Sequence, residues 1–133
     1  MKKGKNKEFT SQDLCETIIK GMQEKKAVDI KVLDLTNVKN AISDYFIICS
    51  GTSDTHINSV SDSIIEEVKK TYSIDSTHCE GKTNREWILI DYLDVVVHVF
   101  NRDKRAFFDL ENLWGDAVIE SISDLEAVPS NTL

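Results

Sequence analysis

Apolar residues recur along the chain with two periods, one near 3.6 and one of two, and the switches between them mark out the elements. Leu14, Ile18, Ile19 and Met22 are spaced for one face of a helix. Thr10 stands where its N-cap belongs, and Phe9 is placed to staple onto Leu14. Asp29 to Leu35 is a short, mostly apolar run that predicts a first strand. After the connecting turn "NVKNAIS", the continuous apolar run from Asp44 to Cys49 fits a strand covered on both faces. Gly51 breaks it, Ser53 and Asp54 are candidate caps, and Ile57, Val60, Ile64 and Val68 then repeat at helical spacing to about Tyr72.

"SIDSTHCEG" predicts a weaker strand ended by the polar loop "GKTNR". "EWILIDY" and "VVVHVF" read as two strong strands, separated by so few residues that a hairpin follows. Beyond Asp103, Phe107, Leu110 and Trp114 recur at helical intervals, with Gly115 placed as a C-terminal stop. The stretch from Asp116 onward is acidic, holds the only proline and predicts no element. Three helices interleaved with about five strands predict one α/β domain, a mixed sheet flanked by helices, over residues 9–116. Residues 1–8 then form a basic tail and 117–133 an acidic one. At 133 residues and 41% hydrophobic content the chain fills one core and not two.

Charge narrows the choice of partner. The formal net charge is −7, from 16 basic and 23 acidic residues, yet residues 1–7 ("MKKGKNK") hold four of the lysines and no acid. The remainder sets 12 basic against 23 acidic residues, so it repels naked nucleic acid, whose binding rests on cationic side chains. No direct sequence-specific nucleic-acid binding is expected. A basic protein surface suits it better, with an attraction that weakens in salt. Cys15, Cys49 and Cys79 are an odd number without a CxxC pair, the pattern of reduced thiols. The basic N-terminus runs into amphipathic sequence with no apolar core region, and no stretch is long enough to span a membrane. A soluble, cytoplasmic protein is the expectation.

The polar residues of the hairpin raise the functional question. A two-residue loop at Leu93 and Asp94 places Tyr92 opposite Val95, Asp91 opposite Val96, Leu89 opposite His98 and Trp87 opposite Phe100. Strand alternation then puts Ile88, Ile90, Tyr92, Val95, Val97 and Val99 on one side, suited to helix cover. Trp87, Leu89, Asp91, Val96, His98 and Phe100 share the other, a mixture expected of a surface that is wet alone and buried by a partner. The competing interpretation covers both faces, with Trp87 as core and His98 as a hydrogen-bonded buried histidine; for His98 taken singly this is at least as good a reading. Asp91 favours the docking surface, since an unpaired buried carboxylate costs several kcal/mol.

Catalytic interpretations fit less well. Asp91 and Asp94 are three apart across a turn, whereas two metal-holding carboxylates on one strand need an even spacing. The glycine break and helix start in "CSGTSDT" can hold a phosphate, but helix capping explains it more simply. His78, Cys79 and Glu80 are strand neighbours that point to opposite faces, a poor start for a metal site with His98. Cys49 or Ser50 with His98 as base lacks an orienting third group. No catalytic residue, metal or cofactor is therefore expected. The alternative from another class is a small nucleotidyltransferase-like enzyme or nucleotide-binding protein using "SGTSDT".

The strings "SDYFIICSGTSDTHINSVSDSIIEEV", "EG" and "EWILIDYLDVVVHVFNRDKRAFFDLENLWGD" occur in an order that resembles the ribosomal silencing factor family, also called the Iojap or RsfS family, from about Leu14 to Asp116. The resemblance implies an α/β domain related in fold to nucleotidyltransferases but without their metal-binding acids. It implies binding to large-subunit ribosomal protein fourteen, steric blocking of subunit joining, lowered translation under nutrient limitation, and a homodimeric free form. Trp87 falls on the tryptophan of the family's interface strand, with Leu89 beside it on the same face, and Asp91, Asp94 and His98 fall on the family's Asp-x-x-Asp-Val-x-x-His pattern. Asp44, Thr52, Asp54 and His56 fall in its other polar motif. The departure is Leu93, where the family usually has glycine, the residue that suits the positive φ of a tight turn.

Overall fold

A computed structural model describes residues 9–108 and 117–122. The chain runs α1 (Ser11–Glu24), β1 (Val28–Asp34), β2 (Tyr45–Gly51), α2 (Asp54–Tyr72), β3 (His78–Glu80), β4 (Trp87–Asp91), β5 (Val95–Asn101), α3 (Arg102–Phe108) and β6 (Val118–Ile122). The six strands form one sheet in the order β3-β4-β5-β2-β1-β6. The central pair β2–β5 is parallel, and all other neighbours are antiparallel. That is the mixed α/β sheet expected, with one strand more than the sequence pattern counts.

The additional strand is β6, which pairs with β1 from Ile30↔Ile122 to Asp34↔Val118. The sheet thus extends past Asp116, where the expected domain ended and an acidic tail began. Its exposure explains why it was not legible: Val118, Ile119, Glu120 and Ser121 are all exposed, so no buried face imposes an alternation on them. The expected helix from Asp103 begins at Arg102; Leu110, Trp114 and the Gly115 stop lie outside the described residues, as do the expected tails at 1–8 and 123–133.

Local chemistry sets the helix entrances. Thr10 Oγ1 accepts from the Asp13 N–H at 3.0 Å and the Asp13 carboxylate accepts from the Thr10 N–H at 3.0 Å, a reciprocal capping box. Phe9 stacks on Tyr72, ring centroids 4.1 Å apart, tying the entrance of α1 to the end of α2. Ser53 caps α2 by accepting from the His56 N–H at 3.1 Å. The two helices cover one face of the sheet over a core that includes Ile18, Met22, Ile64, Val68, Ile88, Ile90, Val97 and Val99. They meet at Gly21, where a Cβ would lie 2.9 Å from Ile64 Cα. β2 is buried along its whole length because it sits mid-sheet with cover on both sides, which is why its sequence shows no alternation.

A smaller cluster occupies the opposite face: Leu33, Leu35, Phe46, Ile48, Val96 and Phe100, with Val38, Ala41, Trp87, Leu89 and Ala117 packed at its margin. This second face carries the hairpin's polar residues.

Candidate docking site

The hairpin register is the one that a two-residue loop dictates: Trp87↔Phe100, Leu89↔His98 and Asp91↔Val96. The Tyr92 N–H donates to Val95 O at 2.9 Å and closes the loop, while the Asp94 N–H donates to Tyr92 O at 3.0 Å. An i to i+2 bond around a residue at φ 74° makes Leu93 the centre of a γ-turn of the rare, strained hand. Asp91 Oδ1 accepts the Leu93 N–H at 2.7 Å and holds the turn shut from below. Leucine therefore adopts the conformation that glycine would take more easily, and the register survives the substitution.

Ile88, Ile90, Tyr92, Val95, Val97 and Val99 all point into the helix-covered core, as alternation requires. On the other face the six expected residues divide. Val96, His98 and Phe100 are buried, whereas Trp87, Leu89 and Asp91 are half-buried and reach the surface. The strand nearer the sheet edge is thus the accessible one; beyond it only the three-residue β3 pairs, His78↔Asp91 to Glu80↔Leu89.

His98 is 3% exposed, so it does not face solvent as a surface imidazole. Its Nδ1 accepts the Trp87 indole N–H at 3.0 Å, and its ring lies 4.6 Å from that of Phe46 at 60°. Burial pushes its pKa down to about 3. At neutral pH the ring is uncharged, and because Nδ1 is the acceptor the proton sits on Nε2, which is buried without a partner. Trp87 also stacks on Phe100, centroids 5.1 Å apart, so the indole is held by its edge and by its face.

The acids gather at the turn end of the sheet. The N–H groups of Asp44 and Tyr45 both donate to Asp94 O, at 2.9 and 3.1 Å, which fastens the start of β2 to the hairpin turn. Asp44 and Asp94 are exposed, Asp91 is half-buried, and among the described residues none of the three pairs with a cation. The Ser11 hydroxyl, at 3.4 Å, is a weak donor to Asp44. Trp87 lies four residues along β4 from Asp91, about 13 Å at 3.3 Å per residue.

Thr52, Asp54 and His56 lie at the other end of β2, apart from those acids. His56 Nε2 donates to Lys25 O at 2.7 Å, while its Nδ1 accepts the Thr52 N–H at 2.9 Å. The imidazole thus clips the β2–α2 loop to the C-terminal end of α1. Both of its ring nitrogens are engaged within the fold, and Asp54 sits exposed in the first turn of α2.

The residues weighed for catalysis are not brought together. Cys49 packs in the helix-side core, on the opposite face from His98, and burial pushes its thiol up to about 12. A thiol so disfavoured as thiolate is inert as a nucleophile. Ser50 Oγ instead accepts from Arg105 Nη1 at 3.0 Å. His78 pairs with Glu80 while Cys79 turns towards the core, and among the described residues no group of three or more His, Cys, Asp or Glu could hold a metal ion. Arg105 is the residue the sequence pattern did not single out. It is buried, donates to Asp29 O at 2.6 Å and to Ser50, and lies 3.5 Å from Asp29 Oδ2. A lone arginine in a short helix gives no periodic signal; only the fold reveals that it locks β1 to β2.

Comparison with known proteins identifies the family. The family model described as "Ribosomal silencing factor during starvation" matches residues 8–132. A protein of Halalkalibacterium halodurans named ribosomal silencing factor RsfS is 35% identical over 82% of this chain and 92% of its own. A protein of the same name from Bacillus subtilis is 37% identical over 74% and 82%. A crystal structure of a Chromobacterium violaceum protein superposes with a TM-score of 0.75 at 27% identity, covering 89% of this chain and 98% of that one.

Proposed function

The chain belongs to the ribosomal silencing factor family, and from that membership we propose that it represses translation by occupancy: it docks on the large ribosomal subunit and keeps the small subunit from joining. The partner implied by the family resemblance is large-subunit ribosomal protein fourteen. The observation that carries this is Trp87, a half-buried indole fixed on two sides at the margin of an otherwise closed face. A large aromatic already held in one orientation loses little entropy on binding and is the usual hot spot of an interface. Leu89 extends the apolar contact beside it, and Asp91, Asp94 and Asp44 supply carboxylates for lysine or arginine on a basic partner.

In this scheme His98 is a positioning residue that acts through Trp87, and Thr52, Asp54 and His56 shape the loop at the far end of β2. The effect is steric and needs no catalysis; with it we propose a cytoplasmic, ribosome-associated protein that is a homodimer when free, as the family resemblance implies.

Co-sedimentation of the full chain with isolated large and small subunits at two salt concentrations tests the proposal, followed by mixing both subunits to follow joining. The expected result is salt-weakened binding to large subunits alone, with joining blocked. Trp87→Ala should weaken that binding by about 2 kcal/mol or more. Unchanged binding by the variant would remove this face from the interface.

A further inference from the structure

Leu93 combines two costs in one residue. It is 63% exposed, which wastes an apolar side chain on water, and its φ of 74° is a conformation glycine adopts freely and leucine resists. Five backbone N–H groups hold it there, one of them on a carboxylate: Tyr92 to Val95 O, Asp94 to Tyr92 O, Leu93 to Asp91 Oδ1, and Asp44 and Tyr45 to Asp94 O. The surroundings over-determine the turn, so the leucine side chain is presented outward in one place. Through the bonds from Asp44 and Tyr45 the same turn is tied to the loop that carries Ile42, which is 76% exposed. The same turn and loop carry Asp44, Asp91 and Asp94, whose carboxylates pair with no cation among the described residues.

We propose that Leu93 and Ile42 form a second apolar contact at the turn end of the sheet, seated on a basic protein surface of the large ribosomal subunit whose lysines or arginines meet the three carboxylates. This rests on the docking function above and extends the interface from the Trp87 anchor to the tip of the hairpin. Apolar groups accompanied by acids match a partner with a shallow apolar patch accompanied by bases, and they are ill matched to a phosphate backbone. A strained backbone at an exposed apolar residue is unfavourable for the free fold and is explained when the side chain is used elsewhere.

The test separates stability from affinity in the full chain. Leu93→Gly removes the φ strain and the side chain together, so its thermal midpoint should rise while its Kd for isolated large subunits increases about tenfold, or about 1.4 kcal/mol. Leu93→Asn tolerates positive φ but is polar, and should lose affinity to the same degree. Leu93→Met keeps an apolar side chain and should bind within about twofold of the parent. If Leu93→Gly and Leu93→Asn bind as the parent does while Trp87→Ala is weakened, the inference is overturned and the docking function stands. If Leu93→Met loses as much as Leu93→Gly, apolar contact is not what the position supplies and the inference falls. Unchanged binding by Trp87→Ala and every Leu93 variant would overturn both.

Discussion

The indole N–H of Trp87 ends on Nδ1 of His98, 3.0 Å away, across the non-helical face of the hairpin. One partner is buried and the other reaches the surface, so the bond carries the rigidity of the core outward to an accessible aromatic. It also fixes the imidazole tautomer, since a ring nitrogen that accepts from an indole cannot carry a proton. Protonated His98 would have no lone pair to offer Trp87, and among the described residues no acid pairs with it.

Stability should fall in acid by an amount that His98 sets. Its pKa is about 3 in the fold against an ordinary value of 6.5. Between those limits the unfolded chain binds a proton that the folded chain refuses, so stability is full above pH 6.5 and lost as pH drops towards 3. The slope should approach about 1.4 kcal/mol per pH unit below pH 6. Urea unfolding at pH 7, 6 and 5 measures it, and His98→Gln, whose amide oxygen can still accept from Trp87, should flatten the profile. An equal slope in the variant would assign the acid sensitivity to other groups.

The sheet's centre and the hairpin were legible from the sequence because burial writes itself into periodicity. Ile88, Ile90, Val97 and Val99 alternate against the helices, and the register that puts Trp87 across from Phe100 followed from turn length alone. What stayed illegible has one physical cause, the lack of a buried face or a local partner. β6 is an exposed edge with no alternation, and Arg105 finds Asp29 and Ser50 across 76 and 55 residues of chain. The candidate site residues were named from the sequence as one group, yet the sequence could not sort them. Whether His98 and His56 touch a partner or hold a neighbour depends on which way each ring faces, and both rings are engaged within the fold.

His56 should matter for stability and leave docking intact. His56→Leu keeps the side chain's bulk but strands the Thr52 N–H and the Lys25 carbonyl, which the imidazole now satisfies at 2.9 and 2.7 Å. Both groups lie near the surface, where water recovers part of the loss, so the expected cost is about 1–2 kcal/mol. Large-subunit binding at 10 °C should be unchanged. A loss of affinity exceeding the loss of stability would make His56 a contact residue.

Gly21→Ala tests the close approach of α1 and α2. Alanine favours helix at an ordinary interior position by about 1 kcal/mol. Here its Cβ would lie 2.9 Å from Ile64 Cα and 3.2 Å from Ser63 O, both backbone atoms that cannot swing aside. The helices would have to part, stretching the bond from Ser63 Oγ to Gly21 O at 2.8 Å. Chemical denaturation should therefore show a net loss of about 1–3 kcal/mol, and a gain would mean the contact is looser than its geometry.

Arg105 should act as a clamp on the sheet rather than as part of the docking face. Its Nη1 donates to the carbonyl of Asp29, a residue at φ 56° in the irregular stretch where the β1–β2 register shifts between Val28 and Lys31. The same nitrogen donates to Ser50 on β2, so one guanidinium spans both sides of the irregularity. Arg105→Met keeps the apolar stem and removes the donors, leaving a backbone carbonyl and a buried hydroxyl with one partner fewer. Bonds from a charged donor contribute about 1.5–3 kcal/mol each, so with both removed the variant should lose about 3 kcal/mol or more. Amide exchange should locate the loss, quickening first in β1 around Lys31 and Val32 while the β4–β5 hairpin keeps its protection. Uniform quickening across the sheet would show that Arg105 supports the whole fold and not this junction.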